Sequence, residues 1–509
     1  MNAPPSQLSV SITRSRDGRG CHRVTDPSPK PGLALADFRK IGGNGLGDAG
    51  NAYAHSMVWY RDRLHAGTTR NNLCMLRVSK IQTRIAQWPV ECPDNLYDLD
   101  MRAQIWRYDP RDGRWQMVIR SPMIEATDGT RVPRELGYRC MTVFQGETDT
   151  EPTLYAATYA SAKGRGTQIL RSEDGLHFST VAKPAEFGEF VTTLRLLVPF
   201  KGRLFTAPTG RAQGNPNAAG LTVVYETRDP KGGAWVPACQ PNFGDPGNLS
   251  VFEMVASEDH LYAGTANLEG FQVWRTKADG DPPYTWERII HRGAYRGATN
   301  QAVASFCVFK NAVYVGTGIQ HGGIDRANKV GPAPPELIRI HPDGSWDLIV
   351  GMPRVTPEGR KEPLSGYGAG FGNFFNGYFW RMGVFDDWMY LGTFDWSLML
   401  CYSKQDGWPE MFRRVFSKLD MDSIRDGLAG ADLYRSFDGE NWLPVTTDGF
   451  GNPYNYGIRT IVPTPIGLVV GTVNPFGPRV ARRTGDGWTY EDNPDGGFEV
   501  WLGRHREER

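Results

Sequence analysis

The chain has 509 residues, of which 40% are hydrophobic, and its 57 lysines and arginines nearly balance 56 aspartates and glutamates. This balance argues against a nucleic-acid or membrane-surface partner, because either would leave a basic stripe or run. The seven cysteines contain no Cys-x-x-Cys pair, which argues against a disulfide framework or a structural zinc site.

The N-terminal segment, residues 1–34, is rich in proline, serine and charge, and we predict a poorly ordered tail there. It lacks the basic head and apolar core of a secretory signal. No uncharged apolar run in the sequence is long enough to span a bilayer. We therefore expect a soluble, cytoplasmic protein.

A short strand motif close to Leu-Tyr-x-Gly-Thr recurs along the rest of the chain. Each copy follows an apolar stretch and a turn, which is the pattern of a β-hairpin. A third strand, an Asp-Gly turn and an aromatic residue follow most copies. The repeat predicts an all-β fold over residues 35–509, a seven-bladed β-propeller with four-stranded antiparallel blades. The seven copies begin at Leu64, Leu154, Leu204, Leu261, Val313, Met389 and Leu468.

Two segments compete for the outer strand that would close the ring. Phe38 precedes the loop residue Leu46 by eight positions, as Trp442 precedes Phe450 in a similar loop. This spacing predicts that strand 38–41 completes the last blade. The alternative is residues 488–490, because residues 482–488 read as the last Asp-Gly turn of the series.

The turns between third and fourth strands resemble the Asp-box of the BNR-type propellers, a group that includes sialidases. The best matches are Ser172-Glu-Asp-Gly with Phe178, and residues 436–442. Both are one residue shorter than the usual pattern, so the resemblance implies a structural turn of a propeller and no particular activity. Sialidases carry an arginine cluster near their channel but have six blades, so their activity is not transferred to this chain.

Three repeats carry long insertions between their second and third strands, at about residues 69–102, 319–335 and 394–431. The last includes a helix-like run at residues 409–419. In a propeller these insertions share one face with the loops that connect blades, around the mouth of the central channel. Function concentrates on loops held by a rigid scaffold, so this mouth is the candidate site.

Four arginines and two other polar residues align at the channel end of the inner strands. Guanidinium groups from four strands would bind a carboxylate, sulfate or phosphate bidentately. The same arginines could instead pair with nearby carboxylates and fasten the blades together. The aligned residues are His55, Arg139, Arg195, Glu253, Arg381 and Arg459.

Proton transfer at this mouth has three candidates. His55 and Glu253, with His321 from the second insertion, form a possible acid–base set. They could also ligate a divalent metal, and each histidine alone could be a hydrogen-bonded rim residue. Asp395 and Trp396 follow a Gly-Thr strand on the same face and are candidate substrate contacts or turn residues. The sequence leaves two alternatives for the cofactor, which are no cofactor and a divalent metal.

Two functional hypotheses follow from this arrangement. The first is an enzyme whose axial pocket binds a small anionic or polar substrate and acts by elimination, hydrolysis or cyclisation. The arginines would hold the anion while His55 and Glu253 move protons. The second is a non-catalytic propeller that binds a ligand or a protein on the same face, which would be favoured if Trp380, Phe379 and Phe252 filled the pocket.

Overall fold

In a computed structural model, the described part of the chain is residues 30–78, 85–164, 166–182, 187, 191–210, 217–404, 410, 413–414, 420–485 and 487–505. Contacts group residues Gly32–Arg509 into one compact unit. No helix in the described ranges is long and apolar enough to cross a membrane. Residues 1–29 of the predicted tail lie outside the described ranges. Leu33 is fully buried, and its N–H donates to the Tyr390 hydroxyl at 2.7 Å.

The described elements are mostly strands. In chain order these are β1 (Phe38–Gly42), β2 (Asn51–Tyr60), β3 (Arg63–Arg70), β4 (Gln104–Asp109), β5 (Arg114–Arg120), β6 (Met123–Glu125), β7 (Arg131–Pro133), β8 (Glu135–Phe144), β9 (Thr153–Ala160), β10 (Ile169–Ser172), β11 (Ser179–Ala182), β12 (Val191–Leu194), β13 (Val198–Phe200), β14 (Arg203–Thr206), β15 (Pro208–Gly210), β16 (Tyr225–Thr227), β17 (Val236–Pro237), β18 (Asn248–Ala256), β19 (Leu261–Asn267), β20 (Val273–Thr276), β21 (Glu287–Ile290), β22 (Ala302–Phe309), β23 (Ala312–Gly318), β24 (Leu337–Ile340), β25 (Trp346–Val350), β26 (Arg354–Thr356), β27 (Gly359–Lys361), β28 (Asn376–Phe385), β29 (Trp388–Asp395), β30 (Leu433–Ser436), β31 (Leu443–Thr446), β32 (Gly457–Thr464), β33 (Gly467–Val473), β34 (Arg479–Thr484), β35 (Gly487–Asp492) and β36 (Val500–Gly503).

Helical segments are short and lie between the strands. The α-helical segments are α1 (Asn44–Gly47), α2 (Asn72–Val78), α3 (Arg292–Tyr295), α4 (Gln320–Gly323) and α5 (Met421–Leu428). The 3-10 turns are Leu35–Asp37, Leu96–Asp98, Pro241–Gly244, Gly297–Thr299, Ala369–Gly372 and Ser397–Tyr402. The helix predicted at residues 409–419 falls largely outside the described residues.

Strand pairing follows the repeat. β2 pairs with β3, β3 with β4 and β4 with β5, all antiparallel. In four further groups, each strand also pairs antiparallel with the next one in the chain. These groups are β8–β11, β18–β21, β22–β25 and β28–β31. β13, β14, β16 and β17 pair in the same way. β32 pairs with β33, β33 with β36, and β36 with β1 from the other end of the chain.

The last pairing corrects one interpretation of the sequence. In this region β34 and β35 pair as a separate hairpin, and the third strand of the last group is β36. The hairpin is therefore a fourth insertion. The partner of β36 is β1, which lies at the other end of the chain, so no Asp-Gly turn follows this third strand.

Packing explains the glycine of the recurrent Gly-Thr motif, and hydrogen bonding explains its threonine. A methyl group on Gly264 or Gly392 would come within 2.5 Å of a side chain on the next inner strand, so only glycine permits this approach. The threonine hydroxyl accepts the N–H at the start of the third strand. Thr472 does so from Glu499 at 2.8 Å. The motif thus sets the spacing between neighbouring inner strands.

An asparagine begins five of the inner-strand segments and ties each to its loop. Each side chain donates to a carbonyl six residues earlier, or seven for Asn300, and to a side chain at the start of a third strand. The five pairs are Asn51 with Gln104, Asn248 with Gln272, Asn300 with Glu336, Asn376 with Asp432, and Asn455 with Glu499. These repeated polar networks hold the loops of the mouth face in register with the sheets.

The insertions of the first, sixth and last groups pack on one another. Leu73, Leu400, Ile424 and Phe476 belong to one buried apolar cluster. Backbone bridges join Ile85 to Ser403 and Val90 to Val480. A disulfide joins Cys74 to Cys92 inside the first insertion, although the sequence argued against disulfides. These segments form a shared layer next to the inner strands of their groups, which we call the roof.

Candidate functional site

The inner strands contact one another in a fixed succession. β2 contacts β8 on one side and β32 on the other, while β18 contacts β22, β22 contacts β28 and β28 contacts β32. β13 contacts both β8 and β18. The succession of contacts runs from β2 through β8, β13, β18, β22, β28 and β32 back to β2.

Six inner strands, β2, β8, β18, β22, β28 and β32, carry a β-bulge at the same level, and each bulge leaves one extra residue. In β8, Tyr138 is paired with Thr158 and Cys140 with Ala157, which leaves Arg139 as the extra residue. Such a bulge bends the strand and redirects a side chain. The bulged residues are His55, Arg139, Phe252, Ala304, Trp380 and Arg459.

The other aligned residues reach the same region from neighbouring positions. Glu253 and Arg381 follow a bulge and lie opposite Gly264 and Gly392. Arg195 lies in the break between β12 and β13. Taken in strand order, Arg381, Arg459, His55, Arg139 and Arg195 form an arc of cations centred on a histidine. We call this set the arginine arc.

Burial and mutual repulsion act on the guanidinium groups of the arc. Burial and the charges of Arg139 and Arg459 hold the pKa of Arg195 well below its usual value. Burial, then Arg381 and Arg139, lowers the pKa of Arg459 to about 9. Burial also lowers the pKa of Arg139. Guanidinium groups nevertheless stay charged at neutral pH, so their repulsion persists until an anion neutralises it.

The protein supplies few acceptors to these guanidinium groups. Arg381 contacts Glu253 at 3.4 Å and donates to the Arg459 carbonyl at 3.3 Å. Arg195 lies 3.7 Å above the Phe252 ring and donates to that residue's carbonyl at 3.1 Å and to Asn217 at 3.5 Å.

Two arginines of the arc lack protein acceptors. Within the described ranges, no hydrogen bond or ion pair engages the side chains of Arg139 and Arg459. Arg459 is only 6% exposed, and its guanidinium lies 5.7 Å from the Trp380 ring. The Nε of Arg139 is buried without an acceptor in the part of the chain that the structure describes.

His55 lies between these two arginines, because its strand contacts both of theirs. Burial and then the charges of Arg459, Arg139, Arg195 and Arg381 hold its pKa well below the usual value. The imidazole is therefore neutral at physiological pH. Its Nδ1 shares a hydrogen bond of 2.5 Å with the Thr69 hydroxyl, so Nε2 is the ring nitrogen that takes no part in this bond.

Tyrosines that the sequence did not single out complete one wall of the site. The Tyr53 ring lies 5.9 Å from Trp380 and 5.4 Å from His55, and its hydroxyl is 3.1 Å from that of Tyr456. Tyr378 lies 5.8 Å from Trp380. Burial raises the pKa of Tyr53, and burial raises that of Tyr378 to about 12. Their hydroxyls are therefore protonated and can donate hydrogen bonds.

Three other predicted residues have partners that do not belong to the arc. Burial lowers the pKa of His321, and the nearby charge of Asp325 partly opposes this shift. Asp395 accepts hydrogen bonds from the N–H of Ser397 at 2.8 Å and from Asn373 at 3.1 Å, as a turn residue does. Trp396 packs against phenylalanine rings at 5.0 and 5.8 Å. Phe379 is fully buried in an apolar cluster, whereas Phe252 and Trp380 lie against arginines of the arc.

Neither metal ligation nor a surface pocket marks another site. In the described ranges, no three histidine, cysteine, aspartate or glutamate side chains come together as metal ligands would. Two surface pockets lie elsewhere. One is bounded by Asp37, Arg39, Leu502 and Arg504, and the other lies at the 172–178 turn.

No family model matches the chain, and no curated protein matches it. Among solved structures, a polysaccharide lyase matches with a TM-score of 0.43 and 11% identity, over 92% of this chain and 97% of the other. The propeller domain of a protease from Pyrococcus furiosus gives 0.40 and 9%, over 88% and 97%. An α-L-arabinanase from Penicillium chrysogenum gives 0.35 and 11%, over 72% and 94%. The chain spans 46% of one matching prolyl endopeptidase. These matches carry no inference about activity.

Proposed function

We propose that the chain is a seven-bladed β-propeller enzyme that binds a small anionic substrate inside the arginine arc and acts on it by acid–base chemistry. The observation that carries this proposal is the pair Arg139 and Arg459, on either side of a neutral His55. Arg459 and the Nε of Arg139 are buried, and among the described residues neither guanidinium has a protein acceptor. A buried charge is costly unless it is paired, so this pair favours an anion from outside.

The blade count rests on the pairing of the strands. Seven hairpins carry the Gly-Thr motif or its variant, each followed by a third and a fourth strand. The pairing of β1 with β36 completes the last group, and the contact of β32 with β2 joins last to first. We propose that these groups are blades of one closed ring.

The substrate carboxylate, sulfate or phosphate would lie between Arg139 and Arg459, over His55. The planar guanidinium fork matches such groups bidentately. Trp380 and Tyr53 would line one side, and the Tyr53 hydroxyl could donate a hydrogen bond. Glu253, which contacts Arg381 at 3.4 Å, would position that arginine instead of moving a proton itself.

Elimination next to a carboxylate is the reaction that this geometry supports best. His55 Nε2 takes the proton from the carbon that bears the carboxylate. The electrons of that C–H bond form a C=C bond as the C–O bond to the leaving group breaks. Tyr53 gives its proton to the departing oxygen. The arginines stabilise the charge that develops on the carboxylate, which lowers the barrier to proton removal.

The test is an assay of His55→Gln on acidic oligosaccharides, followed by the ultraviolet absorbance of the conjugated double bond. We expect the variant to lose on the order of a hundredfold or more in turnover while it keeps ligand binding. His177→Gln is the control, because His177 lies on an exposed turn. If the wild type binds acidic saccharides without turnover, the chain is a non-catalytic binding propeller.

A further inference from the structure

The arginine arc holds more positive charge than one anionic group can balance. It has four guanidinium groups, and within the described residues the carboxylate paired with them is Glu253, on Arg381. Arg195 has a carbonyl and an amide as its acceptors, and both are neutral. A ligand with one charge, placed between Arg139 and Arg459, would therefore leave Arg195 without an anionic partner.

The arc also offers two positions for anions. The first lies between Arg139 and Arg459, over His55. The second lies toward Arg195, which is on the strand next to that of Arg139 and is held in place by the Phe252 ring at 3.7 Å. Glu253 contacts Arg381, and its carboxylate also opposes the lowering of the pKa of Arg195 from the neighbouring strand β18.

The bulged residue of β22 is Ala304, the smallest of the bulged residues, where other strands present histidine, arginine, phenylalanine or tryptophan. This strand therefore adds no charged side chain at that level. The charges of the arc thus indicate a ligand with more than one anionic group.

We infer that the ligand of this site carries at least two negative charges, separated so that one meets Arg139 and Arg459 and the other meets Arg195. An acidic saccharide with two or more acidic groups fits this chemistry. The inference rests on the proposed function, because it concerns the same arc, and it adds the number of charges that the ligand must bear.

Calorimetric titration with butyrate, glutarate and tricarballylate tests the inference, because these probes place one, two and three carboxylates on the same three-carbon chain. At constant ionic strength we expect glutarate to bind about tenfold more tightly than butyrate. In Arg195→Gln the ratio of glutarate affinity to butyrate affinity should fall toward one, while the affinity for butyrate is unchanged. In Arg114→Gln, a variant of an exposed arginine, the ratio should be unchanged.

The outcomes separate the inference from the proposed function. If butyrate and glutarate bind equally well, the site takes a single anion and the inference is wrong, although the proposed function stands. If none of the three probes binds, neither holds. Thermal unfolding of each variant, measured beside the titrations, shows whether a lost ratio reflects a lost fold.

Discussion

Buried charges in the strand-end networks differ from those in the arginine arc. Glu336 is fully buried and contacts Arg354 at 2.9 Å, Arg296 at 3.5 Å and Asn300 at 2.7 Å. Arg459 and the Nε of Arg139 are also buried, but neither guanidinium has a protein partner among the described residues. A paired buried charge fastens loops to sheets, whereas an unpaired one is poised to bind. Asp395 and Asp432 are an intermediate case, because their carboxylates are buried but accept hydrogen bonds from uncharged donors.

We expect the largest loss of stability where the carboxylate of a buried ion pair is removed. In Glu336→Gln, Arg354 and Arg296 lose their carboxylate in a buried setting. We expect the free energy of unfolding to fall by about 3–5 kcal/mol in urea titration. Glu362→Gln is the matched control, since Glu362 is half exposed. Equal stability of the two variants would show that pairing does not separate the two kinds of buried charge.

An intermediate effect is expected for the carboxylates with neutral donors. Burial and then Asp432 raise the pKa of Asp395 to about 7, and burial raises that of Asp432 to about 6. Both values exceed that of an unfolded aspartate, so the native state binds more protons. Their contribution to stability is complete below about pH 4 and is lost as the pH rises to 7.

Asp395→Asn/Asp432→Asn should therefore flatten this pH dependence. Between pH 4 and pH 8 we expect the wild type to lose unfolding free energy that the double variant keeps. Urea titrations at several pH values measure the difference. Parallel curves for the two proteins would mean that these carboxylates stay ionised throughout, as fully paired ones do.

We expect the smallest loss of stability at an exposed turn, where a solvated carboxylate accepts hydrogen bonds from backbone N–H groups. Asp438 accepts the N–H groups of Glu440 at 2.8 Å and Asn441 at 2.7 Å, while Ser436 accepts that of Gly439. We expect Asp438→Ala to cost about 1 kcal/mol in thermal unfolding, with ligand binding intact. A loss as large as that of Glu336→Gln would contradict the ranking.

The sequence predicted the repeated hairpins because their motif is a physical requirement. Glycine is needed where neighbouring inner strands approach, and threonine is needed to accept the next strand's N–H. The third strand of the last group was missed because Val500–Gly503 has its outer partner at the far end of the chain. No turn signal can mark such a strand.

The site was predictable in part. Alignment on the Gly-Thr motif brought His55 and the four arginines to one level, and the charges of these residues do act on one another. It could not tell bulged residues such as Arg459 from their neighbours such as Arg381, because a bulge has no side-chain signature. The Tyr53 wall and the Cys74–Cys92 bond depend on how the roof packs, which repeats do not encode.

The most direct test of the central claim is thermal unfolding of the wild type and Arg139→Gln/Arg459→Gln, with and without an acidic oligosaccharide. The account predicts that the variant without ligand melts about 1–2 °C higher, since repulsion is relieved, and gains nothing from ligand that stabilises the wild type. A variant that melts lower and still responds to the ligand would show that these arginines fasten blades and that the ligand binds elsewhere.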